Sequence, residues 1–118
     1  MISAEVFLHD SLAKYIRRLV GATRPYNAET EWHHRSPSEL VERTVDLGAS
    51  PRATIVWGRL VKVWALLLHK RAEVYPEDIQ DLARYVLSHR VWLGPHAASH
   101  GVSVDVVIQD LIDRVPVP

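Results

Sequence analysis

Apolar residues recur at helical spacing in several blocks along the chain. In the first, Leu12, Tyr15, Ile16, Leu19 and Val20 fall at i, i+3, i+4, i+7 and i+8. One stripe of a helix over Asp10–Thr23 follows, with Asp10 as N-cap and Pro25 as terminator. Ala4 to Leu8 reads as a short extended segment. Pro25 to Arg35 is polar and aperiodic, a loop. Ser36-Pro37-Ser38-Glu39 has the order of a capping box with Pro in the first helical position, which predicts a short helix from Pro37 to about Arg43. Val45 to Gly48 reads as extended.

The clearest helix start is Ser50-Pro51, where serine supplies the cap oxygen and proline fills N1. The helix is expected to reach about Arg71. Ala53, Val56, Trp57, Leu60, Val63, Trp64, Leu67 and Leu68 surround most of its circumference, so it is expected at the centre of the fold. Arg52, Arg59 and Lys62 form a narrow polar strip on it, and Lys70 and Arg71 suit the negative end of its dipole. Pro76-Glu77-Asp78 begins another helix, ending near His89, with Ile79, Leu82, Ala83, Val86 and Leu87 as its stripe. Val91 to Leu93 reads as extended before a Gly94-Pro95 break. Ser103 caps a last helix through Arg114, with Val107, Ile108, Leu111 and Ile112 facing inward. The fold class expected is all-α: one domain over 1–118, a small bundle of four or five helices with one or two very short extended segments. Residues 25–44 read as a loop or insertion bearing the short helix near 37–43.

Composition narrows the function classes. Fourteen Lys and Arg balance fourteen Asp and Glu, so no general polyanion binder is indicated and no nucleic-acid partner is expected. The absence of cysteine excludes disulfides, Cys-based zinc sites and thiol catalysis. Residues Met1 to Asp10 have no basic stretch followed by an apolar one, which fits a cytoplasmic chain. The longest apolar run, Val63 to Leu68, is far short of the ~20 residues of a membrane span. None of the five glycines precedes lysine, so no phosphate loop is encoded, and no dinucleotide fingerprint, His-Glu-x-x-His or Gly-x-Ser-x-Gly occurs.

The segment Leu47-Gly-Ala-Ser-Pro-Arg-Ala53 resembles the lid of MoxR-type AAA+ ATPases. Ile16-Arg-Arg-Leu-Val-Gly-Ala-Thr-Arg24, Pro76-Glu-Asp-Ile79, Leu87-Ser-His-Arg90 and Leu111-Ile-Asp-Arg114 with its Val-Pro-Val-Pro tail agree with that family in order. The resemblance covers the chain except about residues 26–44. It implies a C-terminal lid of AAA+ type that closes over ATP and Mg2+ held by a core domain. Arg52 would be the sensor-2 arginine that reaches the phosphates, with Ser50 beside it in the nucleotide site. The implied partners are that core, neighbouring subunits of a hexameric ring and a client protein matured by a chaperone-like ATPase. Lacking Walker motifs, this chain by itself is expected to be inactive. Arg52 suits the role physically. It stands in a first helical turn, where free N–H groups and the dipole favour an anion, and its planar fork matches phosphate oxygens. The competing reading is a free-standing helical module that binds a protein through residues 25–44. A helix-turn-helix DNA binder is disfavoured, since no short turn joins a basic recognition helix.

Other residues have plainer readings. His33, His34, His89, His96 and His100 are surface histidines rather than metal ligands, because adjacent loop residues rarely converge on one ion and no acid stands at ligand spacing. Trp57 and Trp64, seven apart, belong to the core, while Trp32 in a polar loop is a candidate exposed contact. Asp78 and Asp81 are read as solvated helix-start acids rather than a catalytic pair.

Overall fold

The computed structural model describes residues 6–26 and 35–118. Ala4, most of the polar loop, Trp32, His33 and His34 lie outside the described residues. Among the described residues, the α-helices and strands are five helices and one two-stranded sheet. They are α1 (Asp10–Ala22), α2 (Glu39–Thr44), β1 (Val45–Leu47), α3 (Arg52–His69), α4 (Pro76–Leu87), β2 (Trp92–Leu93) and α5 (Val104–Arg114). A single 3-10 turn, Ala98–His100, precedes α5.

The stripes read from periodicity are the buried faces. Helix α1 buries Leu12, Tyr15, Ile16, Leu19 and Val20, and α4 buries Ile79, Leu82, Ala83, Val86 and Leu87. Each fully buried aliphatic side chain contributes roughly 1.5–3 kcal/mol by leaving water. Helix α3 packs on α1 and α4, and α5 on α4, α1 and α2. Trp57 is fully buried, and its indole N–H donates to the Ile79 carbonyl at 3.1 Å, tying α3 to α4. The two short extended segments pair antiparallel, with Val45 opposite Leu93 and Leu47 opposite Trp92. Phe7 bridges to the strand-like segment after α3, where its N–H donates to Ala72 and its carbonyl accepts from Val74.

Several expectations need correction. Helix α3 is not enclosed. It buries only Ala53, Trp57, Val61 and Ala65, one residue per turn, because its main packing is against two helices, α1 and α4. Ile55, Leu60, Val63, Leu67 and Leu68 are exposed, and Trp64 sits half-buried at the core edge. The cap of α2 is Ser38, whose Oγ accepts from Val41 N–H, and Pro37 lies outside the helix. Ser36 instead donates to the Ala22 carbonyl at 2.6 Å, joining this segment to α1. Asp10 is the first residue of α1 rather than its cap, and it pairs with Lys14.

The turn between α3 and α4 differs most from the sequence reading. Lys70 ends α3 in the left-handed region at φ 54°. Arg71 then leaves the helix and forms a two-pronged pair with Asp78, Nη1 to Oδ2 at 2.7 Å and Nη2 to Oδ1 at 2.9 Å. Arg71 thus serves a carboxylate, not the helix dipole. Asp78 is buried rather than solvated, and it also accepts the Tyr75 N–H at 2.8 Å. Asp81 is exposed, as expected. Burial alone would push the Asp78 carboxyl up. The hydrogen bonds from Arg71 and Tyr75, with the attraction of Arg71 and His69, outweigh it and hold the carboxyl below the usual carboxylate range.

A carboxylate with a lowered folded-state pKa stabilises the fold above its unfolded pKa of about 3.9 and loses that contribution as pH falls through the folded value. Asp78→Asn is therefore expected to lower stability at neutral pH by ~2 kcal/mol. The gap between wild type and variant should shrink as pH falls below about 4. Urea denaturation at a series of pH values checks both.

Candidate functional site

The segment between β1 and α3 is fixed by the C-terminal end of α1. Thr23 is fully buried; its hydroxyl donates to the Val20 carbonyl at 2.6 Å and accepts the Ala49 N–H at 2.9 Å. The Arg24 guanidinium Nε donates to the Ala49 carbonyl at 2.9 Å. Both polar groups of the Ala49 backbone are thus satisfied by adjacent residues of one helix end. Gly48 lies so close that a Cβ on it would stand 2.4 Å from the Thr23 carbonyl oxygen. Only glycine permits that approach.

From this anchored pair the chain turns into α3. The Ser50 carbonyl accepts from Ala53 N–H and the Pro51 carbonyl from Thr54 N–H, each at 3.0 Å. Pro51 occupies the cap position, and no side chain caps the helix. Ser50 therefore does not supply the cap oxygen expected of it; its backbone starts the turn and the residue itself is exposed. Arg52 is the first residue of α3 and is exposed. Among the described residues its guanidinium makes no hydrogen bond or ion pair.

The polar strip expected on α3 is mixed. Arg52 and Arg59 are exposed on one side of the helix and Lys62 is half-buried. Val56, Leu60, Val63 and Leu67 follow Arg52 at helical spacing along the same open side. Arg52 therefore heads a stripe of apolar residues of which Leu60, Val63 and Leu67 are exposed. The available chemistry is that of a charged planar donor fork at an uncapped helix start, suited to phosphate oxygens.

His96 and His100 are exposed; His96 Nε2 contacts the Arg43 carbonyl at 2.8 Å, and His100 Nδ1 contacts the His96 carbonyl at 2.9 Å. Among the described residues no three His, Asp or Glu side chains gather as metal ligands. Arg90 donates to the Val86 carbonyl at the end of α4. Thr23, Arg24 and Gly48 are the site residues that sequence reasoning did not single out, although all three lie in segments whose order carries the family resemblance.

Thr23→Val keeps the shape of the side chain but leaves Ala49 N–H unpaired in a buried place. It is expected to cost about 1–3 kcal/mol. Gly48→Ala forces backbone apart and is expected to cost at least as much, about 2–3 kcal/mol. Thermal denaturation of the two variants checks these values; losses under about 0.5 kcal/mol would mean the contact is slack.

Comparison with known proteins places this geometry. The sequence profile of the AAA lid domain family matches residues 38–111. The chain is 35% identical over 109 residues to the uncharacterized protein YeaC of Bacillus subtilis (strain 168), covering 92% of this chain and 29% of that protein. It is 32% identical over 122 residues to chaperone MoxR1 of Mycobacterium tuberculosis (strain ATCC 25618 / H37Rv), covering 99% of this chain and again 29% of that protein. The crystal structure of a candidate ATPase from Cytophaga hutchinsonii superposes with a TM-score of 0.82 at 32% identity, covering 99% of this chain and 33% of that one. The chain thus spans about a third or less of the relatives it matches. With the helical bundle, the profile match over residues 38–111 and these relatives, the chain belongs to the AAA lid domains and is one of MoxR type.

Proposed function

We propose that this chain acts as the C-terminal lid of a chaperone-like AAA+ ATPase. It would close over ATP and Mg2+ held by a core domain carrying the Walker motifs. The observation that carries the reading is Arg52, an exposed and unpaired guanidinium held at the start of α3 by the anchored Gly48-Ala49 pair. Bound ATP supplies the γ-phosphoryl group whose transfer to water is the reaction. Arg52 would offer its planar N–H donors to the phosphate oxygens and would stabilise charge that develops there. Ser50, exposed two residues earlier, offers a hydroxyl on the same turn. Lid and core together would exclude water from this fork, which strengthens it.

The open side of α3 supports the same reading. An exposed apolar stripe continuing from the arginine suits burial against the core domain, so that seating the stripe and aiming Arg52 are one motion. In a ring of subunits, a hexamer in our reading, that motion would carry hydrolysis to the neighbouring subunit and to a client protein in the cytoplasm. We take residues 1–118 as one lid domain and 25–44 as an insertion within it.

Arg52→Ala in the protein that contains both core and lid tests the role. Steady-state ATPase turnover is expected to fall at least tenfold, roughly 1.4 kcal/mol or more of lost transition-state stabilisation. The stability of the lid should stay within about 0.5 kcal/mol of wild type, because the side chain is exposed. Unchanged turnover would overturn the assignment. For the 118-residue chain alone, calorimetric titration with Mg-ATP is expected to show no binding.

A further inference from the structure

A second feature lies away from Arg52. Helix α1, the segment before α2 and the chain after α5 enclose an open groove of about 430 Å³. Four cations line it: Lys14, Arg17 and Arg18 on α1, and Arg35 opposite. Among the described residues no acidic side chain lines it. Its floor is apolar, built from Gly21, Pro37 and Pro116 among others.

The charges are not spent internally. Arg17 and Arg18 are exposed and form no ion pair among the described residues. Lys14 has an exposed contact with Asp10 at 3.3 Å, and Arg35 has a loose one with Glu42 at 3.8 Å and lies 5.6 Å from the centre of the Tyr26 ring. The chain as a whole carries no net charge, so this cluster is a local excess. Residues 14 to 21 also spread the wall over about 10 Å of helix, the length of some three residues of extended polypeptide. A free phosphate would need donors converging on one point. A stacked nucleic-acid strand would need aromatic platforms, and among the described residues none lines this groove.

We propose that the groove is a docking site for an acidic polypeptide segment of a partner protein, whose carboxylates meet Lys14, Arg17, Arg18 and Arg35 while its apolar side chains rest on the floor. Complementary charge would set the approach and its rate, and the apolar floor would set the register. The site is independent of Arg52 and of ATP.

The probe is a short fluorescein-labelled peptide alternating Glu and Leu, titrated with the 118-residue chain and followed by anisotropy. Binding is expected at about 0.05 M salt and should weaken at about 0.3 M. The counterpart with Gln for Glu should not bind. Arg17→Glu is expected to weaken binding about tenfold, and Pro37→Glu to weaken it as well. Arg84→Glu, an equal charge change on the exposed side of α4, should leave it unchanged. Absence of binding, or equal weakening by Arg17→Glu and Arg84→Glu, would overturn the proposal. So would tighter binding of a single-stranded oligonucleotide with the same Arg17 dependence, which would make the groove a polyanion site.

Discussion

The contact on which the functional half of this fold depends is the seating of Gly48-Ala49 on the end of α1. Three features act at one place. The Thr23 hydroxyl and the Arg24 guanidinium take up both polar groups of Ala49, and the absence of a Cβ at Gly48 lets the backbones meet. All are local and short, so they fix the direction in which α3 starts. Arg52 is the next helical residue after this anchor and the Ser50-Pro51 turn. Its position is therefore set by backbone contacts rather than by partners of its own side chain, which leaves the guanidinium free. The proposed role, reaching an anion outside the domain, would be served by that combination of fixed base and free tip.

The far end of α3 is held by different physics. There the buried Asp78 is tolerated because Arg71 and the Tyr75 N–H satisfy it. This pairing closes the turn into α4, and Trp57 ties the same two helices midway. Helix α3 is thus fixed at its start by α1, at its middle by Trp57 and at its end by Asp78. Only its outer side is left uncommitted, which is where Leu60, Val63 and Leu67 lie exposed.

Much of the bundle was legible in the sequence. The stripes of α1 and α4 needed only the helical period, and Ser103 was readable as a cap because its Oγ does accept the Val106 N–H. The errors have a common cause. Periodicity reports that a face is apolar but not what covers it, so α3 read as central although half of it is open. Local cap rules named Ser36 and Ser50, but tertiary contacts decided otherwise. The Ala22 carbonyl claims the Ser36 hydroxyl, and Gly48-Ala49 places Pro51 at the head of α3. Asp78 read as solvated because its partner lies across a turn, seven residues back. Arg52 is a candidate only through family resemblance, since spacing alone makes it an ordinary surface arginine. The Thr23–Ala49 contact spans 26 residues and leaves no local mark.

The coupling between anchor and arginine can be measured directly by a double-mutant cycle in the protein carrying both core and lid. ATPase turnover is compared among wild type, Thr23→Val, Arg52→Ala and the double variant. If Thr23 acts by positioning Arg52, Thr23→Val lowers turnover on its own and has no further effect once Arg52 is gone. Additive losses in the double variant would contradict this, showing that the α1 contact and Arg52 serve the enzyme separately.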